Sequence, residues 1–243
     1  MKSLLFYGPG DVRLEDVPQP EPGPGDVLVQ VEVALADGAD AALLLGELPS
    51  PFGNEFCGVD VGSGERVVAA SSLLNGAFAE YVLVPAHIAE RDLLPVPPGL
   101  ASEVAALVEP LAGCLHEVER VAIEAGQTVA VAGLGPIGFM LCAAAKDAGA
   151  NVVAVDGRPE RRELATDFGA APGDGRRAHV VIEELTLRGS LQHTPRTVRA
   201  ALAFLASGAH PWERLVTHQI GLEEVPALLE DPPPDLIKAA VIP

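Results

Sequence analysis

The first clear pattern along the chain is the alternation of apolar and polar side chains over Val27–Val33 (VLVQVEV), after the turn-rich run PQPEPGPGD. Period-two alternation next to turn signals predicts a half-buried β-strand. Short apolar runs at Glu65–Ala70 (ERVVAA) and Ala77–Val84 (AFAEYVLV) predict two more. Pro95, Pro97, Pro98 and Gly99 then punctuate the chain. The first third reads as a small barrel or sandwich of short strands, with no internal repeat and no low-complexity linker.

From Leu100 the pattern becomes helical. Ser102 is placed to cap a helix running through Ala105 and Leu107, and a second helix is expected over Leu111–Ala122. Gln127–Ala132 (QTVAVA) is an apolar, β-branched strand, and Gly133–Gly138 (GLGPIG) is a tight turn. Phe139–Ala148 is an alanine-rich helix, and Asn151–Val155 (NVVAV) is a second strand ending at Asp156. This order is one βαβ unit. Beyond it, Ala170–Arg177 reads as loop, and His179–Glu183 with Leu185–Gly189 as two strands or one broken strand. Thr197–Ala206 predicts a helix. Leu215–Thr217 and Ile237–Ile242 predict short final strands around Leu222–Leu229.

The glycine turn sits where dinucleotide chemistry requires it. Gly133 permits the tight turn, Gly135 lets the backbone approach a pyrophosphate, and Gly138 lets helix and strand pack closely. Pro136 and Ile137 complete the turn. The helix N-terminus behind it offers N–H groups and a positive dipole end to phosphates. Asp156 ends the next strand about 20 residues on, where a carboxylate can hold ribose hydroxyls. A carboxylate there favours NAD over NADP, while Arg158, Arg161 and Arg162 weaken that preference.

Composition narrows the partners. The chain has 243 residues, 34 acidic and 16 basic, for a net charge of −18. Such a charge repels phosphate backbones and anionic lipid, which argues against nucleic-acid or membrane partners. With 49% hydrophobic residues the chain can bury a large core in one or two domains. Cys57, Cys114 and Cys142 are far apart and include no CxxC pair. They give neither a disulfide framework nor a four-cysteine zinc lobe. No apolar stretch approaches the ~20 residues that cross a bilayer, and Met1–Tyr7 is too short an apolar run for a signal peptide. A cytoplasmic setting is expected.

Several stretches together resemble the medium-chain dehydrogenase/reductase family, especially its zinc-dependent polyol and threonine dehydrogenase branch. In order they are Pro20–Val33, Gly53–Val68 (GNEFCGVDVGSGERVV), Gly76–Ala86 (GAFAEYVLVPA), Val108–Arg120 (VEPLAGCLHEVER) and the run AVAGLGPIGFMLCAAAKDAGA. ELTLRGSLQHTP, LVTHQIGLEEVPALLE and IKAAVIP follow. The resemblance covers nearly the whole chain. It implies an α/β-plus-β fold: a GroES-like β-barrel domain at residues 1–112, to which 207–243 return, and a shortened Rossmann domain of parallel sheet at 113–206. It also implies an active site between the two, and hydride transfer between an alcohol carbon and nicotinamide with zinc polarising the oxygen.

The departures from that pattern concern the metal. Where relatives have Cys-Gly-Ser/Thr-Asp, this chain has Asp37-Gly38-Ala39-Asp40, so a carboxylate replaces the thiolate ligand and Ala39 replaces a relay hydroxyl. Where relatives have Gly-His-Glu, it has Gly53-Asn54-Glu55. Glu55 and Glu109 remain as family-type carboxylates. Asp37, Glu55 and Glu109 with Asn54 form an all-oxygen set, which suits Mg²⁺, Mn²⁺ or Ca²⁺ better than zinc. Two alternatives stand beside it: no metal binds, which is the reading adopted, or Asp37 or Glu55 acts as a general base. The chain is also short. Only Gly169–Glu184 separates the helix after Asp156 from the LTLRG strand, so at least one crossover helix and two strands of the nucleotide domain are missing.

The remaining histidines and Cys57 read as structural, and Trp212 as an anchor between domains. The Leu185–Leu191 strand is similar to the family strand that pairs across a two-fold axis, which implies a homodimer. The expectation is an NAD-linked, zinc-independent oxidoreductase of a small alcohol, polyol or carbonyl, with Asp37, Asn54 and Glu55 at the catalytic position. The alternatives are a degenerate dehydrogenase that binds nucleotide without turnover, or a non-redox elimination or isomerisation enzyme in the same cleft.

Overall fold

Val27–Val33 is the centre of the first sheet because its alternation leaves one apolar face to bury. In the computed structural model, which describes residues 1–8, 10–36, 40, 53–70, 76–173, 189–190 and 192–243, the strand extends over Val27–Ala36 (β3). Before it, β1 (Lys2–Gly8) and β2 (Asp11–Asp16) form an antiparallel hairpin. After it come β4 (Glu55–Asp60), β5 (Arg66–Ala70) and β6 (Tyr81–Val84). The short helix α1 (Ala86–Asp92) leads to β7 (Leu93–Pro95), and α2 (Ser102–Ala105) leads to α3 (Val108–Val121).

Then follow β8 (Thr128–Ala132), α4 (Pro136–Asp147), β9 (Asn151–Val155), α5 (Pro159–Leu164) and β10 (Ala170–Pro172). The chain closes with α6 (Pro195–Ala206), β11 (Val216–Gly221), α7 (Val225–Glu230) and β12 (Lys238–Ile242). The chain divides into two units: Met1–Pro110 with Val198–Pro243, and Leu111–Thr197.

In the first unit a mixed sheet runs in the order β11-β12-β3-β4-β5-β7, with β6 also on β3. The C-terminal strand β12 pairs antiparallel with β3 (Ala239↔Ala36) and parallel with β11 (Ile220↔Val241). Its core gathers Val29, Val31, Phe56, Val82 and Val84 from the strands and Phe78 from the segment before β6 with Leu222, Val225 and Leu229 from the C-terminal segment. Trp212 is buried and packs edge-on to Phe204 (ring centroids 5.2 Å) and against His210 (5.3 Å), all within this unit.

The second unit contains a three-stranded parallel sheet in the order β10-β9-β8, with α4 packed on it. Phe139 of α4 meets Phe168 with ring centroids 5.5 Å apart. The βαβ unit expected from the sequence is present, and the strand over Asn151–Val155 has the predicted bounds. The N-terminal hairpin, β4 and α1 were not expected, because their apolar runs are short or carry charges. HVVIE and, but for Gly189, LTLRG lie outside the described residues. Among the described residues no helix is long and apolar enough to cross a membrane.

One packing constraint ties the first sheet together. Gly58 in β4 faces Val31 beside a register shift, and a Cβ there would stand 2.2 Å from the Gln30 carbonyl oxygen and 2.7 Å from Val29 Cγ1. Gly58→Ala is therefore expected to destabilise the first unit by roughly 1–3 kcal/mol, the range for overpacked cores. Urea unfolding of the two proteins measures this as a lower midpoint at unchanged slope. An unchanged midpoint would show that β4 can move away from β3.

Candidate functional site

The glycine turn is built by backbone bonds at the ends of two parallel strands. β8 and β9 run in register from Thr128↔Asn151 to Ala132↔Val155. The Gly133 N–H donates to the Val155 carbonyl at 2.8 Å, with Gly133 at φ +89°, a conformation costly to any other residue. Leu134 N–H donates to Asp156 Oδ2 at 2.7 Å, and Arg158 N–H to Asp156 Oδ1 at 2.8 Å. The carboxylate expected to face a ribose thus also ties the glycine turn to the end of β9.

Gly135 is the N-cap of α4, without a side-chain capping bond, and Pro136 starts the helix. A Cβ on Gly135 would meet nothing within 4 Å, so backbone there stands open to a ligand. A Cβ on Gly138 would lie 2.0 Å from the Gly133 carbonyl oxygen, so only glycine lets the helix pack this close to the turn. Ile137, by contrast, is 41% exposed beside the turn. An open glycine backbone, an uncapped helix start and a carboxylate at the next strand end fit the pyrophosphate and ribose of a dinucleotide.

The arginines after β9 support this loop. Arg161 Nη1 donates to the Leu134 carbonyl at 3.0 Å, and Arg162 Nη1 to the Asp156 carbonyl at 2.5 Å. Burial opposes the charge on Asp156. The N–H groups of Arg158 and Leu134, with the Arg161 and Arg158 guanidinium charges, outweigh it and hold the carboxyl below its ordinary range. Arg161 is itself lowered, first by burial and then by the charge of Arg158.

In the first unit the residues expected around the metal are differently placed. Asp37 lies outside the described residues. Asn54 is half-buried just before β4, and Glu55 is the first residue of β4. Both Glu55 oxygens accept from the Lys238 ammonium, at 2.8 and 2.7 Å. Glu109 stands in the first turn of α3. Among the described residues no three of His, Cys, Asp and Glu gather as a metal site. Zinc sites of this class draw on thiolate and imidazole. Here the thiolate position is Asp37 and the imidazole position is the amide Asn54, while the retained Glu55 is clasped by an ammonium, and this donor set does not fit zinc.

Sequence reasoning missed Lys238, because a single lysine in a final strand carries no local signal. It also misread Ser102, whose N-cap role falls to Ala101. The Ser102 hydroxyl instead donates to Glu32 Oε2 at 2.6 Å and accepts from Arg66 Nη2 at 2.6 Å, a network that also reaches the Leu100 carbonyl. Cys57 is buried beside it, and burial pushes its thiol up to about 11, which suits a packed thiol and not a nucleophile.

No protein-family model matches the chain. It is 30% identical over 236 residues to (R,R)-butanediol dehydrogenase of Bacillus subtilis, an alignment taking in 77% of this chain and 67% of that one. It is 28% identical over 277 residues to L-threonine 3-dehydrogenase of Streptomyces avermitilis, covering 87% of this chain and 80% of the relative. That alignment is longer than the 243-residue chain, so the relative carries stretches with no counterpart here. Among solved structures, a zinc-binding dehydrogenase of Sinorhizobium meliloti 1021 bound to NADP superposes with a TM-score of 0.86 and 26% identity, over 100% of this chain and 99% of that one. The mixed sheet of the first unit and the parallel sheet of the second are of the GroES-like and Rossmann-like kinds expected from the sequence.

The bonds to Asp156 make its charge a pH-dependent part of stability. Its folded pKa lies below the unfolded value of roughly 3.9. The stabilisation is therefore complete above that value and is lost as pH falls through the folded pKa. Asp156→Asn is expected to unfold at lower urea than the parent at neutral pH, with the gap closing as pH falls through the lowered folded pKa of Asp156. A gap that stays constant with pH would mean that the carboxylate charge does not hold the turn.

Proposed function

The chain belongs to the medium-chain dehydrogenase/reductase family, and on that premise we propose that it is a nicotinamide-dependent oxidoreductase of a small alcohol, polyol or carbonyl compound. The observation that carries this reading is the glycine turn pinned by Asp156, with open backbone at Gly135 and an uncapped helix start behind it. Gly133, Gly135, Pro136, Ile137 and Gly138 hold the pyrophosphate. Asp156 holds the ribose. Each of its oxygens has a further lone pair beyond the N–H bond it already accepts. Relatives named for oxidising butanediol and threonine support the reaction class.

When bound, nicotinamide supplies the acceptor for a hydride from the alcohol carbon, and the hydroxyl proton leaves to a base or to water. Asp37, Asn54 and Glu55 are assigned to the substrate end, without zinc. Residues 1–112 with 207–243 are assigned as the catalytic-type domain, and residues 113–206 as the nucleotide domain. The protein is assigned as a cytoplasmic homodimer.

NAD is the cofactor assigned, on the carboxylate of Asp156. NADP is the second reading, favoured by Arg158 and Arg161 beside that carboxylate and by the NADP bound to the Sinorhizobium protein.

Calorimetric titration with NADH, NADPH and ADP-ribose tests this. NADH is expected to bind at least about tenfold tighter than ADP-ribose, or ~1.4 kcal/mol, and tighter than NADPH. Equal binding of NADH and ADP-ribose would favour a nucleotide-binding protein without redox turnover. Turnover that survives removal of nucleotide would point to elimination or isomerisation. No binding of any of the three would sink the proposal.

A further inference from the structure

Lys238 and Glu55 are 183 residues apart and open two strands, β12 and β4, that flank β3. The pairings Ala239↔Ala36 and Ala34↔Phe56 bring both to the same end of the sheet. The Lys238 ammonium lies 2.8 and 2.7 Å from the two Glu55 oxygens, a clasp of both at once. The Lys238 side chain is 0% exposed and that of Glu55 13%.

A lysine is almost never fully buried without a specific partner. An apolar side chain of similar length would fill the same space without the cost of stripping water from two charges. Packing therefore does not account for the choice of residue. The arrangement is that of a carboxylate with a cation seated on it. Asn54 next to it is neutral, so it adds no second anion to attract a dication.

A divalent ion needs carboxylate oxygens at about 2.0–2.6 Å. On Glu55 it would share those oxygens with the ammonium, two positive centres a few ångströms apart in a site shielded from water, where their repulsion is strong.

We propose that Lys238 is the resident cation of this site: its ammonium occupies the Glu55 carboxylate in place of a metal ion, orients it, and excludes divalent metal from it. The proposal deepens the zinc-independent part of the reading above. Its test counts metal and not turnover, so either can fail without the other.

The test uses the full chain, stripped with chelator and titrated with Zn²⁺ and with Mn²⁺ by calorimetry, with metal content read by mass spectrometry. The parent protein is expected to take up neither ion at stoichiometric level. Lys238→Met and Lys238→Gln remove the charge, and the glutamine keeps a hydrogen-bond donor for Glu55 should the methionine protein fail to fold. The folded variant is expected to bind Mn²⁺ at least about tenfold tighter than the parent. Adding Glu55→Gln is expected to abolish that gain, and Lys238→Arg to exclude metal as the parent does. Stoichiometric metal on the parent that is lost with Glu55→Gln would overturn the proposal. A folded Lys238→Gln protein with no gain in metal affinity would overturn it as well.

Discussion

An ammonium cut off from water has to be met by an anion, and in the first unit that condition joins the last strand, β12, to β4. Lys238 is fully buried and Glu55 nearly so. Breaking such a pair by deleting one partner typically costs 3–5 kcal/mol, whereas replacing both can be neutral. The pair therefore acts less as a source of stability than as a selector of register. Side chains on a strand alternate faces, so sliding β12 by one residue along β3 would turn Lys238 to the opposite face and strand both charges. The pairing Ala239↔Ala36, the parallel contact of β11 with β12, and the delivery of Leu222, Val225 and Leu229 to the core all depend on that register.

What was legible in the sequence were the elements whose cause is local. The β8–α4–β9 unit rests on an apolar β-branched run, three glycines at fixed spacing and an alanine-rich helix, all within one stretch of chain. The hairpin of β1 and β2 was not legible. Its strands carry charges on exposed positions, and a short two-stranded ribbon needs no continuous apolar face. The final strand was anticipated, but nothing near residue 238 points to residue 55. Such a pair exists only once the topology has placed β12 beside β3.

Local reasoning also failed where a residue has two local uses. Ser102 stands where a helix cap is wanted, yet its hydroxyl joins Glu32 and Arg66, partners 70 and 36 residues away. A charged hydrogen-bond network in a half-buried setting is worth more to that hydroxyl than one helix N–H. Asp156 shows the converse. Its expected role at a ribose and its observed bonds to the glycine turn do not compete, because a carboxylate has about four acceptor sites and the N–H donors use two.

The glycine turn of the second unit is held by contacts made within one βαβ unit. Parallel strands are ordinarily buried on both faces. Here β8 is an edge of its sheet among the described strands, with Thr128, Ala130 and Ala132 exposed. The turn itself does not depend on cover over β8. Its geometry comes from the Gly133–Val155 bond, the Asp156 clasp on Leu134 and the close approach of Gly138, each made within β8, α4 and the end of β9. Removing further strands from the sheet can leave these contacts whole. The glycine turn is therefore self-supporting within β8, α4 and the end of β9.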